Sequence, residues 1–477
     1  MYKRELPILE IIALYEISTQ EKIGEVNRMD SLGIAILIVF IVTYLVISTE
    51  KVNRTGMALL GMGLIGVVFW VAWSMSVLPS EVAHNPSLLE EWNRNPFLPL
   101  VGHVEWDTIL FVTSMMLIVA VAGASGMFQY IALRLVRPSG GDHKRLYITF
   151  LVFVFGISLF FDTVSTMLIT APLTIEVCKA LEIDFKPYLI SEAITCNFAS
   201  IPSIVGAVPN LVIAKETNLD PGFLFIIFMP LSILLFLVSL PIFLRIYGKH
   251  FGTSEVYRVE ALFSVDPAVM IRSRRDFYAS IIAMGTLIVG FALGPSLGIA
   301  PAMVALIVAA FMLLLAHDRA SEMMGKVGWD TIFFLVGLFG LVAALNLTGL
   351  IIELGDGIQA VIGDNAPIAT AFMVWIPAFL SAFLDNLPVS AVLAPIAFRF
   401  SSLSPLLPLA LIYAVNIGGY CLTPLGSPAN MIAIGFSEQE HNRIPFIEFT
   451  KVGVILGFIH LAIGTGWLLL ISVLIGV

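Results

Sequence analysis

Trp106-Asp107-Thr108-Ile109 recurs as Trp329-Asp330-Thr331-Ile332, and the two stretches head a long internal repeat. The offset of 223 residues holds downstream, pairing Asp162 with Asp385, Ala171 with Ala394 and Pro172 with Pro395. It then shortens to 220, matching Gly206 to Gly426 and Asn210 to Asn430, with Asn197 and Asn416 one residue closer. The two halves thus descend from one module, and each sets an aspartate inside an apolar stretch. Duplicated apolar modules with buried acids and broken helices are the usual build of a secondary transporter.

Composition fixes the solvent. Hydrophobic residues make up 58% of the chain and charged residues 12%, about half the charged share of a soluble domain. Apolar runs at Leu32–Ser48, Met57–Leu78, Phe223–Leu244, Tyr278–Leu293 and Val452–Ile475 approach or exceed the ~20 residues that cross a bilayer. The expected class is an all-α polytopic membrane protein. A net charge of -9 argues against nucleic acid as a partner. Part of it comes from an acidic tail, residues 1–29, where Glu5, Glu10, Glu16, Glu21 and Glu25 are the wrong chemistry for the basic start of a signal peptide. Cys178, Cys196 and Cys421 lie in apolar surroundings without metal-ligand spacing, as small buried hydrophobes do. With no nucleotide loop, catalytic triad or zinc spacing, neither an enzyme nor a cofactor is expected.

Basic residues set the expected orientation. Arg134, Arg137, Lys144 and Arg145 crowd 134–145, and Lys249, Arg258, Arg272, Arg274 and Arg275 crowd the linker 247–275. These segments should face the cytoplasm, and 79–104 and 350–366 the exterior. The linker separates a first repeat, 30–246, from a second, 276–477. Crossings between Trp106 and Trp329 come to an odd number, so the repeats are expected to be inverted in the membrane, with about ten transmembrane helices and two hairpins.

Segment 146–178 is too short for two full spans. Arms of 16 residues on each side of Asp162 reach about 24 Å as helices, against a ~30 Å core. A re-entrant hairpin with Asp162 at its bend fits better, and 367–400 around Asp385 reads the same way. Such backbone survives only where it lines protein or a watery cavity. Broken helices are expected at 188–215, around Asn197 to Asn210, and at 406–436, around Asn416 to Asn430. Proline and glycine at these breaks free carbonyls and expose a half-helix N-terminus.

The candidate site follows from these breaks and bends. An ionised aspartate near mid-bilayer costs roughly 2.5–3.5 kcal/mol on insertion scales, which makes two at matched positions functional candidates. Each can also cap the following helix. Thr163, Ser165, Thr166, Asn386 and Ser390 add neutral oxygens that suit a hard cation such as sodium. Asn197, Asn210, Asn416, Thr423, Ser427 and Asn430 complete the expected ion-binding set, with Glu192 as a proton relay. His460 reads as a packed core residue, and Asp107 and Asp330 as interfacial caps.

Glu105-Trp106-Asp107-Thr108-Ile109-Leu110-Phe111, Asp385-Asn386-Leu387-Pro388 and Ser427-Pro428-Ala429-Asn430 resemble motifs of the ion transporter superfamily. That superfamily holds the ArsB arsenite permeases, NhaD-type sodium/proton antiporters, the melanosomal P protein and the citrate and dicarboxylate carriers. The resemblance implies two inverted halves meeting at a central site, a scaffold that dimerises, and a transport part that moves as an elevator. The chain departs from the pattern at its first break, where Ala199-Ser200 replace a glycine pair and Ala207-Val208 an Asp-Pro. The function expected is sodium/proton antiport in the plasma membrane through Asp162 and Asp385, because no Lys or Arg falls at the predicted centre. The alternative is a permease for arsenite or a citrate-like carboxylate, in which Cys196 and Cys421 would offer thiols to arsenite.

Overall fold

The structure, a computed structural model, describes residues 31–48, 52–252, 266–294 and 297–476. The acidic tail and the middle of the 247–275 linker lie outside the described residues. Among those described, the ordered elements are all helical. Among the described residues, six helices are long and apolar enough to cross a membrane, the hallmark of a polytopic protein.

Two leading helices, α1 (Ser31–Ser48) and α2 (Arg54–Ser74), open the first half. That half runs through α3 (Trp106–Ser125), α4 (Met127–Val136), the hairpin α5 (His143–Ser158) and α6 (Thr163–Ala180), the broken pair α7 (Lys186–Ala199) and α8 (Val208–Glu216), and α9 (Pro221–Tyr247). The second half repeats the order: leading helices α10 (Arg274–Leu293) and α11 (Pro301–Leu315), then α12 (Trp329–Leu347) and α13 (Leu350–Ile362). Its hairpin is α14 (Ala366–Ser381) and α15 (Asn386–Arg399), its broken pair α16 (Leu407–Cys421) and α17 (Pro428–Gln439), and its last helix α18 (Phe446–Ile475).

Local chemistry explains these boundaries. Side chains of Asn53, Asp142, Asp162, Asp220, Ser273, Asn365 and Asp385 accept hydrogen bonds from the first free N–H groups of their helices. Those groups otherwise lack partners, which is costly in an apolar surround. Proline opens α7, α8, α16 and α17 at positions where no N–H is needed. The short helices α4 and α13 run into segments 134–145 and 350–366, whose charge pattern predicts a side of the membrane but no helix. Each follows a glycine in the left-handed region, Gly126 at φ +87° and Gly349 at φ +72°. These glycines stand 223 residues apart and turn the chain tightly after α3 and α12.

The halves interlock rather than sit side by side. Helix α2 packs on α12 of the other half, and α11 packs reciprocally on α3. The same exchange recurs inside: α8 lies on the hairpin arm α15, and α17 on the arm α6. Each break is therefore held against the opposite hairpin, which brings the matched elements to one centre.

The α2–α12 contact depends on missing side chains. A Cβ on Gly337 would stand 2.6 Å from the Ala58 carbonyl carbon, and one on Gly340 2.5 Å from Met62 Sδ. Gly63, on α2, faces open space. Gly337→Leu should lower the melting temperature in detergent, because overpacking costs about 1–3 kcal/mol or more. Gly63→Leu should leave it nearly unchanged, and equal effects from the two would refute the close approach.

Candidate functional site

Four asparagines hold the centre together. The Asn197 amide donates to Asn430 Oδ1 at 3.2 Å, and the Asn416 amide to Asn210 Oδ1 at 2.7 Å. Both bonds cross between halves and link corresponding positions, as a two-fold relation requires. Asn210 also donates to the carbonyls of Ser200 and Ser203, at 3.0 and 2.9 Å, inside its own break. Asn430 does the same for Gly419 and Pro424, at 2.8 and 3.2 Å. All four side chains are fully buried. Each break thus has its orphan carbonyls satisfied by its own asparagine, and the asparagines tie the breaks together.

One departure from the family pattern gains a reason here. Ser200, in place of a glycine, donates to Asn416 Oδ1 at 3.3 Å and to the Asn197 carbonyl at 2.8 Å. Its counterpart Gly419 has no hydroxyl, and Asn197 Oδ1 is left without a partner. A Cβ built on Gly419 lies 3.3 Å from that oxygen and 3.1 Å from Cβ of Ser427, whose hydroxyl is also unpartnered.

The two aspartates are not equivalent. Asp162 is buried and accepts from the amides of Val164 and Ser165 at 3.0 and 3.1 Å, and from the Ser165 hydroxyl at 2.5 Å. Asp385 caps Leu387 N at 3.1 Å, leaving its second oxygen 3.9 Å from Arg54 Nη1. Only Asp385 lines the cavity of about 660 Å³ between the second hairpin tip, α2 and α12. Arg54, Lys326 and Asp330 line it too, and the Arg54 guanidinium sits 5.3 Å from the Phe334 ring centre. Lys326 is engaged by Glu322 at 2.8 Å, and Arg319 and Lys326 together pull the Glu322 carboxyl down to about 2. The expectation of a centre without cations is therefore corrected: Arg54, on α2, packs back to the second hairpin from 331 residues away in sequence. No local signal marks that contact.

A smaller cavity of about 290 Å³ is the symmetry mate of the first. Where the first has Met116, Leu168, Gly328 and Ile432, the second has Phe339, Ala391, Glu105 and Val212, at the repeat offsets. Lys215, at the end of α8, lines it and pairs with Glu105 at 2.5 Å, and also with Asp107 at 3.1 Å.

The remaining candidates are mostly structural. Thr163 and Asn386 start their hairpin arms, and Ser390 bonds the Asn386 carbonyl at 2.7 Å. Thr423 donates to the Ala382 carbonyl, fastening the second break to the second hairpin tip. Thr166 Oγ1 is buried without a partner. His460 is bonded through both ring nitrogens, to Ser239 at 2.9 Å and Tyr420 at 2.5 Å. The three thiols are buried and line neither cavity. Among the described residues no His/Cys/Asp/Glu cluster could hold a resident metal.

Inside an interlocked helical body, paired cavities at matched hairpins and breaks define a polytopic membrane transporter. The chain belongs to the citrate transporter family, whose sequence profile matches residues 44–406. It is 27% identical to an uncharacterized transporter of Mycobacterium tuberculosis over 92% of this chain and 98% of that protein. It is 25% identical to the human P protein over 91% of its own length, spanning 59% of that longer chain. Its fold is similar to that in the crystal structure of the Alcanivorax borkumensis YdaH transporter, with a TM-score of 0.50 at 17% identity, covering 82% of this chain and 90% of that one.

The asparagine pairs carry a measurable coupling. Asn416→Ala leaves Asn210 Oδ1 buried without its donor, which should cost about 1–3 kcal/mol. Asn210→Ala combined with it should cost less than the sum of the two single changes. Additive losses of thermal stability in the double-mutant cycle would show the bond to be unimportant.

Proposed function

We propose that the protein is a secondary active carrier of a small carboxylate-bearing anion, coupled to a cation, with its solute site in the larger cavity. One observation carries this reading: Arg54 stands in that cavity beside Asp385, at a distance where either an anion or the aspartate can hold it. A guanidinium presents a planar fork suited to a carboxylate. The phenyl ring beneath it fixes its position. A solute carboxylate displaces Asp385 from Arg54, and the freed Asp385 is neutralised by a cation. That competition couples the two species at one side chain. A cavity of about 660 Å³ lies in the range of small-molecule sites. The family description points to the same substrate class.

The hairpins are re-entrant in this reading, and the two cavities are the alternating access routes of an inverted repeat. At the smaller one Lys215 pairs with Glu105, which lines it as well, and with the neighbouring Asp107. The protein works in the cell membrane, assembled as a homodimer whose transport part slides past its scaffold.

Sodium/proton antiport is the second reading. It is favoured by the unpartnered Asn197 Oδ1 and Ser427 Oγ around Gly419, neutral oxygens of the kind that hold sodium. In either reading this spot serves the coupling cation.

Purified protein in vesicles separates the two. Citrate or a smaller dicarboxylate supplied outside should accumulate under an inward sodium or proton gradient. Arg54→Gln should raise the apparent KM about 10–100-fold, the worth of one charged hydrogen bond. Alkali-cation-dependent collapse of a pH gradient that is indifferent to carboxylates, and unchanged in the Arg54 variant, would select antiport instead.

A further inference from the structure

The two hairpins differ most along the inner face of their second arms. On α6, Thr166, Thr170 and Thr174 repeat every fourth residue and are fully buried. At the repeat offset, α15 carries Val389, Leu393 and Ala397. The ladder ends on Glu192 of the adjoining helix α7, whose Oε1 accepts from the Thr174 hydroxyl at 2.6 Å. Five residues before its own asparagine, the second half has Leu411 where the first has Glu192. The ladder begins beside Asp162, which Ser165 already engages.

Three atoms along this track lack partners: Thr166 Oγ1, Glu192 Oε2 and Thr195 Oγ1. Thr170 finds only the sulfur of Met167, at 3.7 Å. Buried hydroxyls and a carboxyl in this state are costly to keep in an apolar interior unless mobile protons or water use them. Steps of four residues are about 6 Å along a helix, a gap that one water molecule spans.

The titratable groups around Glu192 carry no positive charge to hold it ionised. They are Tyr147 on α5, Cys178 on α6, and Tyr188 and Cys196 on α7 itself. Tyr147 is engaged by Ser191 and Tyr188 by the His143 carbonyl, while Lys179 at the end of α6 is paired with Glu440. His460 reaches Phe198 of α7 by ring contact and is bonded elsewhere. From α16, Tyr413 and Tyr420 are likewise committed to His460.

We infer that Glu192 is the carrier's proton-holding group, exchanging a proton with Asp162 along the Thr166–Thr170–Thr174 ladder, a device built into the first half alone. The step moves one proton. Asp162 gives up its O–H and becomes a carboxylate, each hydroxyl or water accepts one proton as it donates another, and Glu192 becomes the neutral acid. The inference rests on the transporter reading and deepens it, separating the proton route from the solute cavity.

Two measurements on the full-length protein in lipid test it. Infrared difference spectra between acid and alkaline pH should contain the C=O band of a neutral buried carboxyl, missing in Glu192→Gln and retained in Glu353→Gln. In vesicles, a gradient of about one pH unit should support about tenfold solute accumulation per coupled proton. Glu192→Gln should abolish that accumulation while solute counterflow, which needs no net proton, continues. Thr170→Val, which keeps the shape and removes the hydroxyl, should slow only the proton-driven mode. Undiminished pH-driven accumulation in Glu192→Gln, or an unaltered infrared band, would overturn the inference. If wild-type vesicles move neither carboxylate nor alkali cation, the transporter reading fails, and the infrared band alone decides whether Glu192 holds a proton.

Discussion

The cost of unsatisfied backbone in an apolar body governs this molecule. Interrupting a helix there strands carbonyl and amide groups that no water can reach, and each stranded group costs several kcal/mol in a hydrocarbon surround. Asn210 and Asn430 meet that cost by folding back over the carbonyls of their own breaks. Their remaining oxygens accept from Asn416 and Asn197 of the opposite half. Satisfying the breaks and joining the halves are thus one act, which is why the interlocked packing and the site cannot be separated.

Around that lock the symmetry is imperfect in ways that assign labour. The second hairpin turns its aspartate to a cavity and an arginine; the first buries its aspartate against the Ser165 hydroxyl and the amides of its own helix start. Ser200 completes one cross-half bond that Gly419 leaves open. A duplicated module has kept its backbone and specialised its side chains.

Much of this could be read from the chain alone because the repeat carries its own check. Matched Asp162 and Asp385 place both hairpin bends, and matched asparagines place both breaks within a few residues of the helix ends observed. Helices α4 and α13 are not marked by charge or hydropathy, although glycines at the repeat offset stand before both. What stayed hidden depends on long-range packing. Arg54 belongs to a leading helix, yet its side chain reaches the other half's hairpin. Nor does composition tell an aspartate lining a cavity from one sealed against a serine; only the helices stacked around each tip decide that.

Lys215 clasps Glu105 at the small cavity and Asp107 beside it, and the large cavity has no such pair at the matched positions, where Gly435 and Gly328 replace Lys215 and Glu105. The two cavities therefore carry different charge at matched positions. Half-exposed charges of this kind weaken as salt rises, over a screening length of about 8 Å at physiological ionic strength. Salt therefore loosens the Lys215 clasp at one cavity and finds no counterpart to loosen at the matched positions of the other.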